Sequence, residues 1–166
     1  MIHEGELRVS LQQSKLFSFL SLSEIDLFIS LSKKIKLSKN SFLLREGDHG
    51  DDFFWIYKGS LSISLSSQKR GLRKLKSLTT GDVVGEMILL GKNTRTASVQ
   101  AESDSELLSW NCGECFRFFE KHPLIAYVLM KNLSLILSDR IESMNQQLKI
   151  SEDKIDIKIF EALMAL

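Results

Sequence analysis

Between Phe42 and Trp110 the chain is cut by glycine-centred breaks, at Glu46-Gly47-Asp48-His49-Gly50-Asp51, Lys58-Gly59, Arg70-Gly71 and Thr80-Gly81-Asp82. No helix of ordinary length fits between them. The apolar runs they separate, Phe42 to Leu44, Phe53 to Tyr57, Leu61 to Leu65, Leu72 to Leu78, Val83 to Val84 and Thr96 to Val99, read with a period of two, and a last strand is expected around Glu106 to Trp110. Short strands at this spacing predict a compact antiparallel barrel. Ser60 to Ser66 alternates Ser with Leu or Ile, so one face of that strand is expected buried and the other wet. On either side the period is helical. Residues 11–38 carry Leu16, Phe17, Leu20, Leu22, Ile25, Leu27 and Phe28 at helical gaps, with a fresh start at Ser23 and Glu24. The expected organisation is a helical segment over 1–40, a β core over 41–111 and C-terminal helices over 112–166.

The segment Gly81 to Val99, GDVVGEMILLGKNTRTASV, sets Glu86 and Arg95 nine residues apart around an apolar stretch led by Gly85. That layout suits a small phosphorylated sugar. Gly85 lets backbone approach a ligand closely, Glu86 can accept a sugar hydroxyl, and amides opening a short helix after it can face an anion. The planar guanidinium of Arg95 offers paired charge-assisted bonds to phosphate oxygens, and the Thr96 hydroxyl can add another. Without a phosphate, Arg95 is expected to pair with a carboxylate, Glu86 being the candidate.

With 166 residues, 43% hydrophobic and 26% charged, the chain has room for one core plus an appendage. A net charge of +1 gives no basic surface for nucleic acid. No apolar run reaches the roughly 20 residues of a membrane helix, and MIHEGELRVS lacks a secretory pattern, so a cytoplasmic location is expected. Cys112 and Cys115 form a CxxC that fits a redox pair or half a zinc site, with a structural role the commoner reading. Asn111 and Glu114 resemble a capping box that puts both cysteines in a first helical turn. His3, His49 and His122 make no ligand pair, and no metal is expected. Asp48, Asp51 and Asp52 read as a solvated turn rather than a calcium loop. Trp55 and Trp110 are expected in the core, and Phe116, Phe118 and Phe119 against the barrel. No nucleophile, base and oxyanion set is visible, so no enzyme is expected.

Pro123 can open a helix, and Ala126, Met130, Leu133, Leu137, Ile141, Met144 and Leu148 follow at gaps of three and four. About 25 residues at 1.5 Å rise span roughly 38 Å, longer than a small barrel, so the stripe is expected to be a homodimer seam as well as a barrel cover. Asp153 to Leu166 adds a further amphipathic stretch that ends on Met164-Ala165-Leu166 without a stop signal, a pattern expected of a helix leading onward.

Three blocks, EGDHGDDFFWIYKG from Glu46 to Gly59, GDVVGEMILL from Gly81 to Leu90 and RTASV from Arg95 to Val99, together resemble the cyclic nucleotide-binding domain family of catabolite-activator-type regulators and kinase regulatory subunits. The likeness spans about residues 14–148. It implies a mainly β fold with flanking helices, namely an antiparallel β-roll of jelly-roll-like, double-stranded β-helix form with N-terminal helices and a long C-terminal helix. It also implies that Val84, Gly85, Glu86, Met87, Ile88, Arg95, Thr96 and Ala97 contact the ligand, cyclic AMP or cyclic GMP, with Glu86 on the ribose 2′-hydroxyl and Arg95 on the cyclic phosphate. Ile88 stands where the family usually has a small residue and Thr94 where it often has Pro, so Ile88 is expected to line the approach to the ligand. Arg140 reads either as a lid stacking on the purine or, more commonly, as a solvent-facing cation. The implied role is a sensor, with the sensing half of a transcription factor and a non-binding interaction module as alternatives.

Overall fold

The computed structural model describes residues 4–67 and 71–164. Two helices, α1 (Glu4–Gln13) and α2 (Leu22–Ile29), precede eight strands: β1 (Lys33–Leu37), β2 (Phe42–Leu44), β3 (Asp52–Lys58), β4 (Ser60–Ser67), β5 (Gly71–Thr79), β6 (Val83–Val84), β7 (Ser98–Ala101) and β8 (Ser105–Asn111). A short 3-10 helix, Glu86–Leu90, lies between β6 and β7, and α3 (Cys112–Lys121) and α4 (Pro123–Met164) close the chain. The strands form two four-stranded antiparallel sheets, ordered β1-β8-β3-β6 and β2-β7-β4-β5. This is the expected β-roll.

Strand β3 explains why the roll is flanked by helices. Its run Phe53, Phe54, Trp55 and Ile56 is buried on both faces, and such a strand reads as continuous apolar sequence rather than as alternation. Phe54 and Ile56 face the roll interior with Leu61, Leu78, Val84, Val99, Ala101 and Leu107. Phe53 and Trp55 face outward into a second cluster, where Trp110, Phe17, Phe28 and residues of α1, α3 and α4 cover the sheet. The Phe28 and Trp110 rings stack with centroids 5.2 Å apart, and each indole donates to a carbonyl, Trp110 to Phe28 at 2.8 Å and Trp55 to Gly81 at 3.1 Å, which removes the cost of burying the N–H.

Several expectations shift. β1 lies inside the segment read as helical, so the roll begins at Lys33 rather than at residue 41. Its KKIKL pattern exposes lysines along a sheet edge, which discourages pairing with other chains. The cap of α2 is Ser21, not Ser23. Ser21 accepts from the Glu24 amide at 3.3 Å while the Ser21 amide donates to the Glu24 carboxylate at 2.8 Å, a complete capping box. A register shift between Ile63 and Ser64 breaks the β4 alternation, and Ser62 is buried, not wet. Phe119 is buried and Phe118 packs beside it, but Phe116 is exposed.

Helix α4 has 42 residues, about 63 Å at 1.5 Å each. Its contact face runs through Ile125, Leu129 and Leu133; Leu133 belongs to the stripe read from the sequence, Ile125 and Leu129 lie one position before its Ala126 and Met130, and half-buried Ala126, Met130 and Leu137 form its edge. Ile141, Met144 and Leu148 are exposed. Buried Asn132 donates to the carbonyls of Leu16 and Ser18 at 2.9 and 2.8 Å, tying α4 to the loop after α1. The helix runs unbroken past Asp153. The side chains of 151–166 lie outside the described residues, as do Ala165 and Leu166 altogether.

Candidate functional site

The 3-10 helix starts on Gly85, whose φ of 77° is left-handed, and ends on Gly91, also left-handed. Gly85 also has no room for a side chain. A Cβ there would lie 2.9 Å from Arg95 Nη1 and 3.3 Å from the Asp52 carbonyl, and Gly50 is equally constrained, with Arg95 Nη2 at 2.5 Å from the position of a Cβ. The Arg95 guanidinium therefore lies on bare backbone of two loops, 46–51 and 85–91. Pairing of the Arg95 amide with the Asp48 carbonyl at 2.8 Å, and of the Gly47 amide with the Arg95 carbonyl at 2.9 Å, fixes the first loop to the segment that carries Arg95.

Arg95 is only 8% exposed. Its Nη2 donates to the Asp52 carbonyl at 2.7 Å and its Nη1 to the Gly85 carbonyl at 3.4 Å. Among the described residues no carboxylate oxygen comes within 4.0 Å of it. Burial pulls the guanidinium below its ordinary pKa, and the more distant charges of Asp52, Asp51 and Glu86 oppose that pull. A buried cation held by carbonyls alone has donors and charge left for an anion. Two cavities flank it, one of about 380 Å³ on the side of Leu44, Asp52 and Phe54, the other of about 430 Å³ beside Glu46, Lys92 and Thr96.

Glu86 is 2% exposed. The expected pairing with Arg95 does not occur. Instead Oε1 accepts from Nη1 of Arg140 on α4, whose Nη2 also donates to the Val83 carbonyl at 3.2 Å. Oε2 of Glu86 has no protein donor among the described hydrogen bonds. A carboxylate has lone pairs for both an arginine and a hydroxyl, so Glu86 can hold α4 and a sugar at once.

The eight residues expected at the ligand do not converge equally. Arg95 and exposed Thr96 line a cavity together, Ala97 is half-buried just after them, and Gly85 and Glu86 sit against Arg95 or α4 as described. Val84 faces the roll interior. Ile88 does not line the approach: it is 4% exposed and packs with the helix-facing core, because the tight 3-10 turn directs it away from Arg95. Met87 is half-buried. Sequence reasoning missed Gly50 and the Asp52 carbonyl as the seat of Arg95, and Arg140 as the partner of Glu86. Continuing the series of buried Ile125, Leu129 and Leu133 and half-buried Ile136 by four reaches Arg140, the signal that would have placed it on the contact face. Asn111 caps α3 by accepting from the Glu114 amide at 3.2 Å, so Cys112 and Cys115 do open that helix. Both thiols are free and buried.

Comparison with known proteins bears on this arrangement. The family model of the cyclic nucleotide-binding domain matches residues 34–122, more than half the chain. Glutaminase 1 of Bradyrhizobium diazoefficiens is 33% identical over 108 residues, 65% of this chain and 17% of that protein. The cyclic AMP receptor protein of Thermus thermophilus is 27% identical over 137 residues, 82% of this chain and 62% of that one. The chain thus spans less than two thirds of either relative. A crystal structure of a cyclic nucleotide-binding domain from Methylobacillus flagellatus superposes with a TM-score of 0.75 at 21% identity, covering 84% of this chain and 78% of that one, which bears on the fold alone.

Proposed function

The chain belongs to the cyclic nucleotide-binding domain family, and from that premise we propose that it binds a 3′,5′-cyclic nucleotide, cyclic AMP or cyclic GMP, with the phosphate on Arg95 and the ribose 2′-hydroxyl on Glu86. The observation that carries this reading is the buried, carboxylate-free guanidinium of Arg95 on its glycine platform. A cyclic phosphodiester carries one negative charge and two free oxygens, which matches one planar cation with donors to spare. The hydroxyl of Thr96, next in sequence and lining one of the two cavities with Arg95, can add a further bond. In the Thermus relative, cyclic AMP is the named ligand; the hydroxyl of Thr96 keeps cyclic GMP as the other candidate.

Signalling then follows from the shared carboxylate. A hydroxyl on Oε2 of Glu86 stabilises the orientation in which Oε1 holds Arg140, so ligand and α4 favour the same state, and linkage of this kind is typically worth about 1–3 kcal/mol. Arg140 is a positioning residue here, not a purine lid. The exposed Ile141, Met144 and Leu148 continue α4 beyond the roll as a seam for a second copy, giving a homodimer that reads the position of the helix. The module is a regulatory one rather than a catalyst, and it acts in the cytoplasm. No described helix is long and apolar enough to cross a membrane. Titration calorimetry with both nucleotides tests the reading: heat of binding with at least one, abolished in Arg95→Ala, supports it, and absence of heat with both would leave the domain an interaction module.

A further inference from the structure

The CxxC is the one sequence motif that nucleotide binding leaves unused, and the structure places it against both loops of the site. The Cys112 amide donates to the Asp51 carbonyl at 2.7 Å, next to the carbonyl of Asp52 that seats Arg95. The Cys112 thiol donates at 3.5 Å to the Ile88 carbonyl in the middle of the 3-10 helix, two residues from Glu86. Cys115 is fully buried one turn further along α3. Cysteines three apart on a helix have Cβ atoms about 5–6 Å apart, whereas a disulfide needs about 3.5–4.5 Å. Closing that gap requires the first turn of α3 to loosen, and Cys112 opens that turn, where backbone amides lack helical partners.

We propose that Cys112 and Cys115 are a thiol–disulfide pair whose oxidation releases the 3-10 helix carrying Glu86 and so weakens nucleotide binding. The inference rests on the nucleotide reading above. With glutathione disulfide as oxidant, the Cys112 thiolate attacks one sulfur and expels a glutathione thiolate. The Cys115 thiolate then attacks the mixed disulfide at Cys112 and expels the second. The pair loses two electrons and two protons, and one glutathione disulfide becomes two glutathiones. The product has no S–H, so the Ile88 carbonyl keeps the Gly91 amide at 3.0 Å and loses its link to α3. Burial raises the Cys112 thiol and pushes Cys115 up to about 12, which keeps the pair slow while the loop is seated and makes oxidation proceed through local opening. Linkage is reciprocal, so a nucleotide that holds the loop seated also protects the thiols.

The test uses the whole chain, treated with glutathione disulfide and analysed by mass spectrometry after iodoacetamide trapping. An intramolecular disulfide should form, more slowly with saturating nucleotide, and calorimetry of the oxidised protein should show affinity about 2- to 10-fold weaker, the range for one lost hydrogen bond, restored by dithiothreitol. Cys115→Ala should bind like the reduced protein before treatment and, lacking the resolving thiol, should stop at the mixed disulfide of Cys112 with glutathione and form no intramolecular bridge. Hydrogen exchange of the amides at 86–91 should quicken on oxidation, a readout independent of nucleotide. If the reduced protein binds no nucleotide, the functional reading fails while exchange still decides this one. Absence of the disulfide, unchanged exchange, or oxidised protein that binds as tightly as reduced protein overturns the inference.

Discussion

Replacing Arg140 by Ala should affect stability and ligand affinity together, because one side chain serves both. The Glu86 side chain is 3% exposed, and Arg140, 33% exposed, is its ion-pair partner. Removing one member of a fully buried pair costs about 3–5 kcal/mol, and a hydrogen bond to a charged group about 1.5–3 kcal/mol. With a third of Arg140 in solvent the lower range applies, and the Val83 carbonyl loses a donor as well. At about 2–4 °C per kcal/mol for a domain of this size, melting should fall by roughly 3–12 °C. Nucleotide affinity should fall about tenfold, since an unheld carboxylate must be ordered anew to accept the ribose hydroxyl. Arg140→Lys, which keeps the charge but not the two-pronged grip, should lie between. Thermal unfolding by circular dichroism and calorimetry with the preferred nucleotide give both numbers. Unchanged melting would deny the ion pair a role, and tighter binding by Arg140→Ala would show that Arg140 competes with the ribose instead of positioning its acceptor.

Other substitutions check the rest of the site. Ile88→Ala, in the helix-facing core, should lower stability by about 2–4 kcal/mol in urea unfolding without improving affinity; gained affinity would return Ile88 to the ligand approach. Gly85→Ala adds a Cβ at 2.9 Å from Arg95 at a φ of 77°, so calorimetry should find nucleotide binding lost in a protein that still folds. Ser21→Ala should cost about 1 kcal/mol at neutral pH. Hydrogen bonds from Ser21 hold the Glu24 carboxyl below its ordinary pKa, so the part of this contribution carried by that carboxylate is present above the carboxylate range and lost as pH falls through the depressed value; the gap between wild type and variant should narrow in acid unfolding titrations.

The strand positions and the site were legible to different depths. Gly-centred breaks fixed seven of the strands to within a residue or two because a turn needing left-handed backbone leaves a residue-type signature, as at Gly81 and Gly85. β1 left none: KKIKL is lysine-rich because it is a sheet edge, and charge there mimics a solvated helix face. Arg95 and Glu86 were readable as a spaced pair, but not their partners. Carbonyl groups such as that of Asp52 are present at every residue and carry no sequence signal. The Glu86 to Arg140 contact joins residues 54 apart, so periodicity alone could only say which face of α4 Arg140 occupies. Ile88 was misplaced because family position suggested the ligand side, whereas the 3-10 turn between two left-handed glycines rotates it into the core.

A co-crystal structure with cyclic AMP or cyclic GMP tests the central claim most directly. It should show the cyclic phosphate on the Arg95 guanidinium, the ribose 2′-hydroxyl on Oε2 of Glu86, and Arg140 still on Oε1. A nucleotide bound elsewhere, or a ribose that has expelled Arg140 from Glu86, would contradict it.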